Sequence, residues 1–246
     1  MKSKVTASMG AGGTNMGRFL KDNIISRFEN YKENEVGLSA LDDSATFHRW
    51  AFTTDSHTVW PLEFPGGSIG SLSIAGTVND LCVVGAKPEV LSFGLIIEEG
   101  LDMELLGRIL DDANGECKRA GVSIITGDTK VVERGGVKGM VTNTSGIGAQ
   151  HPFLSHNNSI SKRYDAQNPW LKDSGIKDND VIIVSGPVGN HGFAVLSKRE
   201  GYGFDADIIS DVASVNGLVE AALKEGGVTS IKDPTRGGIA NLLNEW

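Results

Sequence analysis

Cysteine, positive charge and long apolar runs are all scarce in this chain, and each scarcity narrows what the chain can be. Two of its 246 residues are cysteine, Cys82 and Cys117. They form no C-x-x-C pair and no set of bridges, which excludes a disulfide-built fold and a cysteine zinc site. Cys117 falls on the apolar stripe Leu106, Ile109, Leu110, Ala113, Cys117, Ala120, and Cys82 lies within Leu81-Cys82-Val83-Val84. Both read as small packed hydrophobes rather than reactive thiols. Lys and Arg number 23 against 31 Asp and Glu, a net charge of −8, which argues against nucleic acid as a partner. No apolar run approaches the roughly 20 residues that span a bilayer, and Met1–Ala7 lacks the apolar segment of a signal peptide. The expectation is a cytoplasmic protein without membrane contact.

What is present is acidic punctuation. Leu41-Asp42-Asp43-Ser44-Ala45, Thr53-Thr54-Asp55, Asn79-Asp80-Leu81 and Gly127-Asp128-Thr129-Lys130 each close an apolar segment, and Asp233 opens a further Asp-Pro-Thr-Arg-Gly-Gly run. One aspartate at a strand end is ordinary turn chemistry. Several gathered on one domain would repel and raise each other's pKa unless a cation neutralised them. Mg²⁺ takes oxygen ligands and is held by few carboxylates together with substrate phosphates. The pattern therefore points to Asp43, Asp55, Asp80, Asp128 and Asp233 converging on a Mg–ATP site that uses no Walker A lysine loop.

Hydrophobic content of 39% and charged content of 22% are globular values, and the length suits one large or two ordinary domains. Helices are expected over 14–28, Ser68–Gly85 and Asp102–Ala120, and strands over Trp50–Thr54, Pro88–Ile97 and Val122–Thr126. Gly135-Gly136 reads as a hairpin turn with a return strand over Val137–Ile147. Without a regular βαβ repeat the fold class is α+β. Residues 1–150 read as a first domain and 151–178 as a linker or surface insertion. Residues 179–246 read as a second domain that looks cut short. It is expected to carry strands at Val181–Val184 and Val228–Ile231 and helices at 191–200, 214–224 and Ile239–Trp246.

Three other features admit two readings each. Gly10-Ala11-Gly12-Gly13-Thr14-Asn15-Met16-Gly17 matches neither phosphate-loop signature; it is either a flexible end or a flap whose N–H groups close over phosphates. His191, in Gly189-Asn190-His191-Gly192, is either a plain first-turn helix residue or a functional one. Lys130 is either a solvated strand-end lysine or a group that meets phosphate or moves a proton.

Taken together these motifs resemble the aminoimidazole ribonucleotide synthetase superfamily, with its PurM-like fold. Within it, Pro61-Leu62-Glu63-Phe64-Pro65-Gly66-Gly67, Gly127-Asp128-Thr129-Lys130-Val131-Val132 and Asn190-His191-Gly192-Phe193-Ala194-Val195-Leu196 are most similar to the HypE family of hydrogenase maturation proteins. Met9–Gly13 carries no thiol, against selenophosphate synthesis. The resemblance implies ATP-dependent dehydration of a C-terminal cysteine thiocarboxamide to thiocyanate, the source of a cyanide ligand for [NiFe]-hydrogenase. It implies a homodimer through the first-domain sheet, HypF as carbamoyl donor and a HypC–HypD pair as cyanide acceptor. It carries over Lys130, Glu245 and His191 as catalytic candidates, and Gly12, Gly13, Thr54, Asn79, Thr129 and Arg236 as nucleotide contacts. The acceptor cysteine tail has no counterpart here, so the expectation is nucleotide binding without self-modification. The rivals are another kinase or synthetase of the superfamily, or a truncated nucleotide-binding scaffold.

Overall fold

The computed structural model describes residues 4–29, 36–162, 168–201 and 208–246. In chain order the main elements are α1 (Gly13–Phe19), β1 (Ala45–Phe47), β2 (Trp50–His57), β3 (Glu63–Phe64), β4 (Gly67–Ser68), α2 (Ile69–Val83), β5 (Ala86–Glu98), α3 (Met103–Ala120), β6 (Ser123–Val132), β7 (Met140–Gln150), α4 (Leu154–Ser161), α5 (Asn190–Glu200), α6 (Asn216–Glu225) and α7 (Gly238–Glu245). The mixture of one large mixed sheet with packed helices is α+β, as the sequence suggests. Among the described residues no helix is long and apolar enough to cross a membrane.

The five-stranded sheet runs β1-β2-β7-β5-β6. β5 pairs parallel with β6 and antiparallel with β7, so the expected hairpin across Gly135-Gly136 does not form. Its two strands lie on opposite sides of β5. The connection passes over the end of β5, where the Glu98 carboxylate accepts the N–H groups of Gly135 (2.6 Å) and Gly139 (2.8 Å). These bonds satisfy the turn and hold the Glu98 carboxyl below its usual range.

α2 lies on one face of the sheet and is buried on nearly every side, including its hydroxyls Ser71, Ser73 and Thr77. Ser68 starts it with a capping box to Ser71, Ser73 Oγ donates back to the Ile69 carbonyl (2.8 Å), and Thr77 Oγ1 bonds Thr144 Oγ1 of β7. Gly70 lets α3 approach: a Cβ there would stand 2.0 Å from the Ile109 carbonyl oxygen. α3 is the amphipathic helix the spacing predicts. Asp102 Oδ1 accepts the Leu105 N–H at 2.8 Å, and Gly121 ends the helix at φ +70°. Ile74, Val78, Leu81, Leu91, Phe93, Ala113 and Cys117 form the core between sheet and helices. Both cysteines are buried free thiols.

The helix expected over 14–28 changes pitch: α1 passes into a wider π turn at Leu20–Ile24 and a tighter 3-10 turn at Ile25–Arg27. The stretch read as an insertion is partly core, because Leu154, Trp170 and Leu171 pack into it with Val219 and Leu223 of α6; residues 163–167 lie outside the described set. Neither expected strand of the second region forms. Val181–Val184 and Val228–Ile231 find no ladder partner among the described residues. Val181 and Ile183 are exposed, while Val228 and Ile231 lean on the main core instead.

Candidate metal and nucleotide site

Three aspartates from distant parts of the chain meet beside the C-terminal end of α2. Asp43 comes from the loop before β1, Asp80 from the last turn of α2, and Asp233 from the segment before α7. One carboxylate oxygen from each lies within 4.8 Å of the others. Thr53 of β2 ties the first two together. Its Oγ1 is 2.9 Å from the Asp43 carbonyl and 3.0 Å from Asp80 Oδ2, and its single proton serves one at a time. Ser44 Oγ donates to the Asp80 carbonyl at 2.8 Å.

Burial and mutual repulsion hold all three carboxyls above their usual range. Burial, then repulsion from Asp233, pushes the Asp43 carboxyl up to about 8. Burial raises Asp233 to about 6, and Asp80 is raised by burial and then by Asp233, Asp43 and Asp55. The negative end of α2 adds to the cost of a charge at Asp80. Half-buried, all-oxygen and mutually repelling, the donor set fits a hard divalent cation such as Mg²⁺.

A second ring of charges flanks the three. The Lys232 ammonium, 6% exposed, stands 3.5 Å from Asp43 Oδ1 and 3.2 Å from Glu245 Oε2, and donates to Asp173 Oδ2. Burial works against its charge, but these carboxylates outweigh burial and hold it above the usual lysine range. Asp42 Oδ1 in turn accepts the Asp173 N–H at 3.2 Å. Asp55 projects from the helix-facing side of β2. Its Oδ2 is 3.1 Å from His57 Nε2 and its Oδ1 3.2 Å from an Arg236 guanidinium nitrogen. Burial would raise the Asp55 carboxyl, yet His57 and Arg236 bring it below its usual value. Gly12, at φ +84°, lies against Arg236, where a Cβ would come 3.0 Å from the Arg236 carbonyl. Gly13 follows beside Asn241 of α7.

The other candidates are placed differently. Asp128 is not part of the carboxylate group. The register sets Asp128 and Lys130 opposite Gly94 and Ile96 of β5, on the open face of the sheet, whereas Asp55 faces the helices. Thr129 lies between them on the same exposed edge strand. Thr54 also faces the open side, where its hydroxyl accepts from Ser145 Oγ at 2.9 Å. Asn79 spends its amide on the backbone of another segment: Nδ2 donates to the Ala213 carbonyl (3.1 Å) and Oδ1 accepts the Val215 N–H (2.8 Å). His191 lies away from the carboxylates, its Nδ1 3.0 Å from Ser210 Oγ and its ring edge-on to Phe64. The geometry adds Lys232, Asp173, His57 and Thr53. His57 was readable as the residue two along from Asp55 on one strand face, and Lys232 as the neighbour of Asp233. Asp173 lies in the stretch that reads as a linker, where nothing signals it.

Comparison with known proteins falls on the same segments. The family model of the AIR synthase related protein N-terminal domain matches residues 41–150, and that of the C-terminal domain matches 177–246. A protein of Methanocaldococcus jannaschii named for hydrogenase expression and formation is 46% identical over 98% of this chain and 69% of its own length. Carbamoyl dehydratase HypE of Escherichia coli is 36% identical over 99% of this chain and 69% of its own length. The chain belongs to the HypE family. Carbamoyl dehydratase HypE of Rhizobium leguminosarum bv. viciae is 42% identical over 98% of this chain and 65% of its own length. Among solved structures, a HypE–HypF complex superposes with a TM-score of 0.79 at 41% identity, covering 92% of this chain and 68% of the other. HypE in complex with ATP gives 0.71 at 39% identity, covering 98% and 68%. The chain thus spans about two thirds of the length of these curated relatives.

Proposed function

We propose that this chain carries the nucleotide site of a HypE-type carbamoyl dehydratase. In the reaction this implies, a cysteine thiocarboxamide and ATP give a thiocyanate, ADP and phosphate, the amide oxygen leaving in the phosphate. The observation that carries the reading is the meeting of Asp43, Asp80 and Asp233, with oxygens within 4.8 Å of one another and raised pKa values. A Mg²⁺ ion held there would neutralise these carboxylates and the phosphate oxygens together. Asp55 and Arg236 form the edge nearest the Gly12-Gly13 run, whose N–H groups suit a polyphosphate. Of the three proton-acceptor candidates, Glu245 is the one joined to the cluster, through Lys232. Lys130 belongs to the open sheet face, with Asp128.

That open face supports a homodimer in this reading. Phe52, Ile96 and Ile147 stand exposed on it. HypF as carbamoyl donor and HypC–HypD as acceptor complete the reading, in the cytoplasm. Calorimetric titration with ATP, with Mg²⁺ or with EDTA, is the test. One Mg-dependent site per chain, lost in Asp233→Asn, is expected. Equal affinity in EDTA, or an unaffected variant, would refute the assignment.

A further inference from the structure

Two of the motifs most specific to the sequence are not used by the carboxylate site. They are the Pro61–Gly67 turn and the Asn190–Leu196 helix start, which meet where the His191 ring stands edge-on to Phe64; the residues just before the turn, together with the helix start, line a cavity of about 670 Å³. That volume lies within the range of small-molecule sites, about 300–1,000 Å³. The apolar wall is Val59, Trp60, Met140 and Leu196; Thr58, His191, Lys138 and Arg199 supply polar side chains. The cavity shares no residue with the carboxylate group.

Its charge is the reverse of the chain's. In a protein of net charge −8, the lining holds two permanent cations and, among the described residues, no aspartate or glutamate. Both cations converge on Trp60. Lys138 Nζ stands 4.6 Å over the indole ring, and Arg199 Nε donates to the Trp60 carbonyl at 2.8 Å, leaving the guanidinium's two terminal nitrogens for another acceptor.

The frame is built rather than incidental. Ser210 N–H donates to the Pro65 carbonyl at 2.8 Å and Ser210 Oγ meets His191 Nδ1 at 3.0 Å. Asp211 Oδ1 accepts the His191 N–H at 2.9 Å, so the Asp211 carboxylate is engaged in capping α5. Gly66, at φ +95°, allows the close approach: a Cβ there would lie 2.5 Å from Ile209 and 2.9 Å from the Ser210 nitrogen. The His191 ring is thereby fixed with Nε2 as its remaining polar atom. Burial lowers its pKa, which keeps the ring neutral and able to donate or accept.

We propose that this cavity is a second ligand site, for a small organic anion with a flat apolar body. The body would lie against Trp60, Met140 and Leu196, with the charge between Lys138 and Arg199 and one hydrogen bond at His191. Neither Mg²⁺ nor a triphosphate is required, because the lining among the described residues offers no carboxylate to hold a metal.

The test uses para-(trifluoromethyl)benzoate as probe and its uncharged benzamide analogue as control, followed by fluorine NMR. The benzoate is expected to bind, the benzamide to bind more weakly, and the doubly substituted Lys138→Met, Arg199→Gln protein to lose roughly tenfold in benzoate affinity, two exposed-pair contributions compounded. Lys224→Gln, an exposed lysine on α6, should leave binding unchanged. The Trp60 indole signal should move with benzoate while that of buried Trp170 does not, a reading on the unsubstituted protein that stands even if the double variant fails to fold. No binding at millimolar benzoate, equal binding of the two probes, an unaffected double variant, or stoichiometric displacement of benzoate by Mg–ATP would each overturn the proposal. The last would assign the cavity to the nucleotide.

Discussion

Asp80→Asn should make the metal-free protein more stable and remove the stabilisation that Mg²⁺ gives. Two unit charges 4.8 Å apart repel by roughly 3 kcal/mol at an effective dielectric near 20. The group already shares protons, with Asp43 pushed up to about 8 and Asp233 to about 6, so the relief at neutral pH falls to about 1–2 kcal/mol. The amide keeps an oxygen for Thr53 Oγ1, now 3.0 Å from Asp80 Oδ2, so no buried donor is orphaned. At about 2–4 °C per kcal/mol for a chain of this size, the melting temperature in EDTA should rise by roughly 2–8 °C. In the parent, Mg²⁺ at a hundredfold excess over its Kd should add about 2.7 kcal/mol; in the variant it should add almost nothing. The pH dependence has a definite sign. These carboxyls hold protons in the folded state that the unfolded state has released, so metal-free stability falls as pH rises from about 4 towards 8. Saturating Mg²⁺ should flatten that slope. Thermal melts across pH, in EDTA and in Mg²⁺, decide the matter. A variant less stable in EDTA, or one that responds to Mg²⁺ like the parent, would show that the three aspartates do not act as one charged site.

Three further outcomes follow from packing. Gly70→Ala gains about 1 kcal/mol of helix propensity but puts a methyl 2.0 Å from the Ile109 carbonyl oxygen; overpacking of about 1–3 kcal/mol or more should win, and urea denaturation should show a net loss. Asn79→Ala removes both bonds to the 213–215 backbone, at a cost of about 1–3 kcal/mol for the groups left unpaired, with hydrogen exchange at the Val215 amide accelerated ahead of the β5 amides. Cys82 and Cys117 are buried, and burial pushes the Cys117 thiol up and Cys82 further still. Native protein should therefore resist a maleimide that labels both thiols after denaturation; rapid native labelling of Cys82 would contradict the packing.

What was legible in the sequence divides along the range of the interactions. The helix over Met103–Ala120 is set by its own stripe and by Asp102 and Gly121 at its ends, all local, and the spacing finds it to within a residue. Of the five aspartates grouped from their motifs, Asp43, Asp80 and Asp233 do come together; the motifs mark them as segment ends, but not which of them meet. Strand partners depend on residues far apart in sequence, and there the local signal misleads. Gly135-Gly136 has the composition of a hairpin, and β6 and β7 flank it, yet the two strands do not pair with each other. The run Val90-Leu91-Ser92-Phe93-Gly94-Leu95-Ile96-Ile97 is apolar on both faces, the mark of a strand with neighbours on either side. The parallel β5–α3–β6 crossover then fills one of those sides, and only the other is left for β7. Glu98 completes the choice. Its carboxylate bonds Gly135 and Gly139, which fastens the connection across the end of β5 and carries the chain past it. The same arrangement decides the fate of the Gly127–Lys130 motif. Because β6 is an edge strand in register with Gly94–Ile96, Asp128 and Lys130 face the open side of the sheet, across it from Asp55. Whatever those two residues touch must therefore come from outside the helix-covered face, and the sequence, which reads Asp128 as a fourth aspartate among equals, contains no local term that distinguishes one side of a strand from the other.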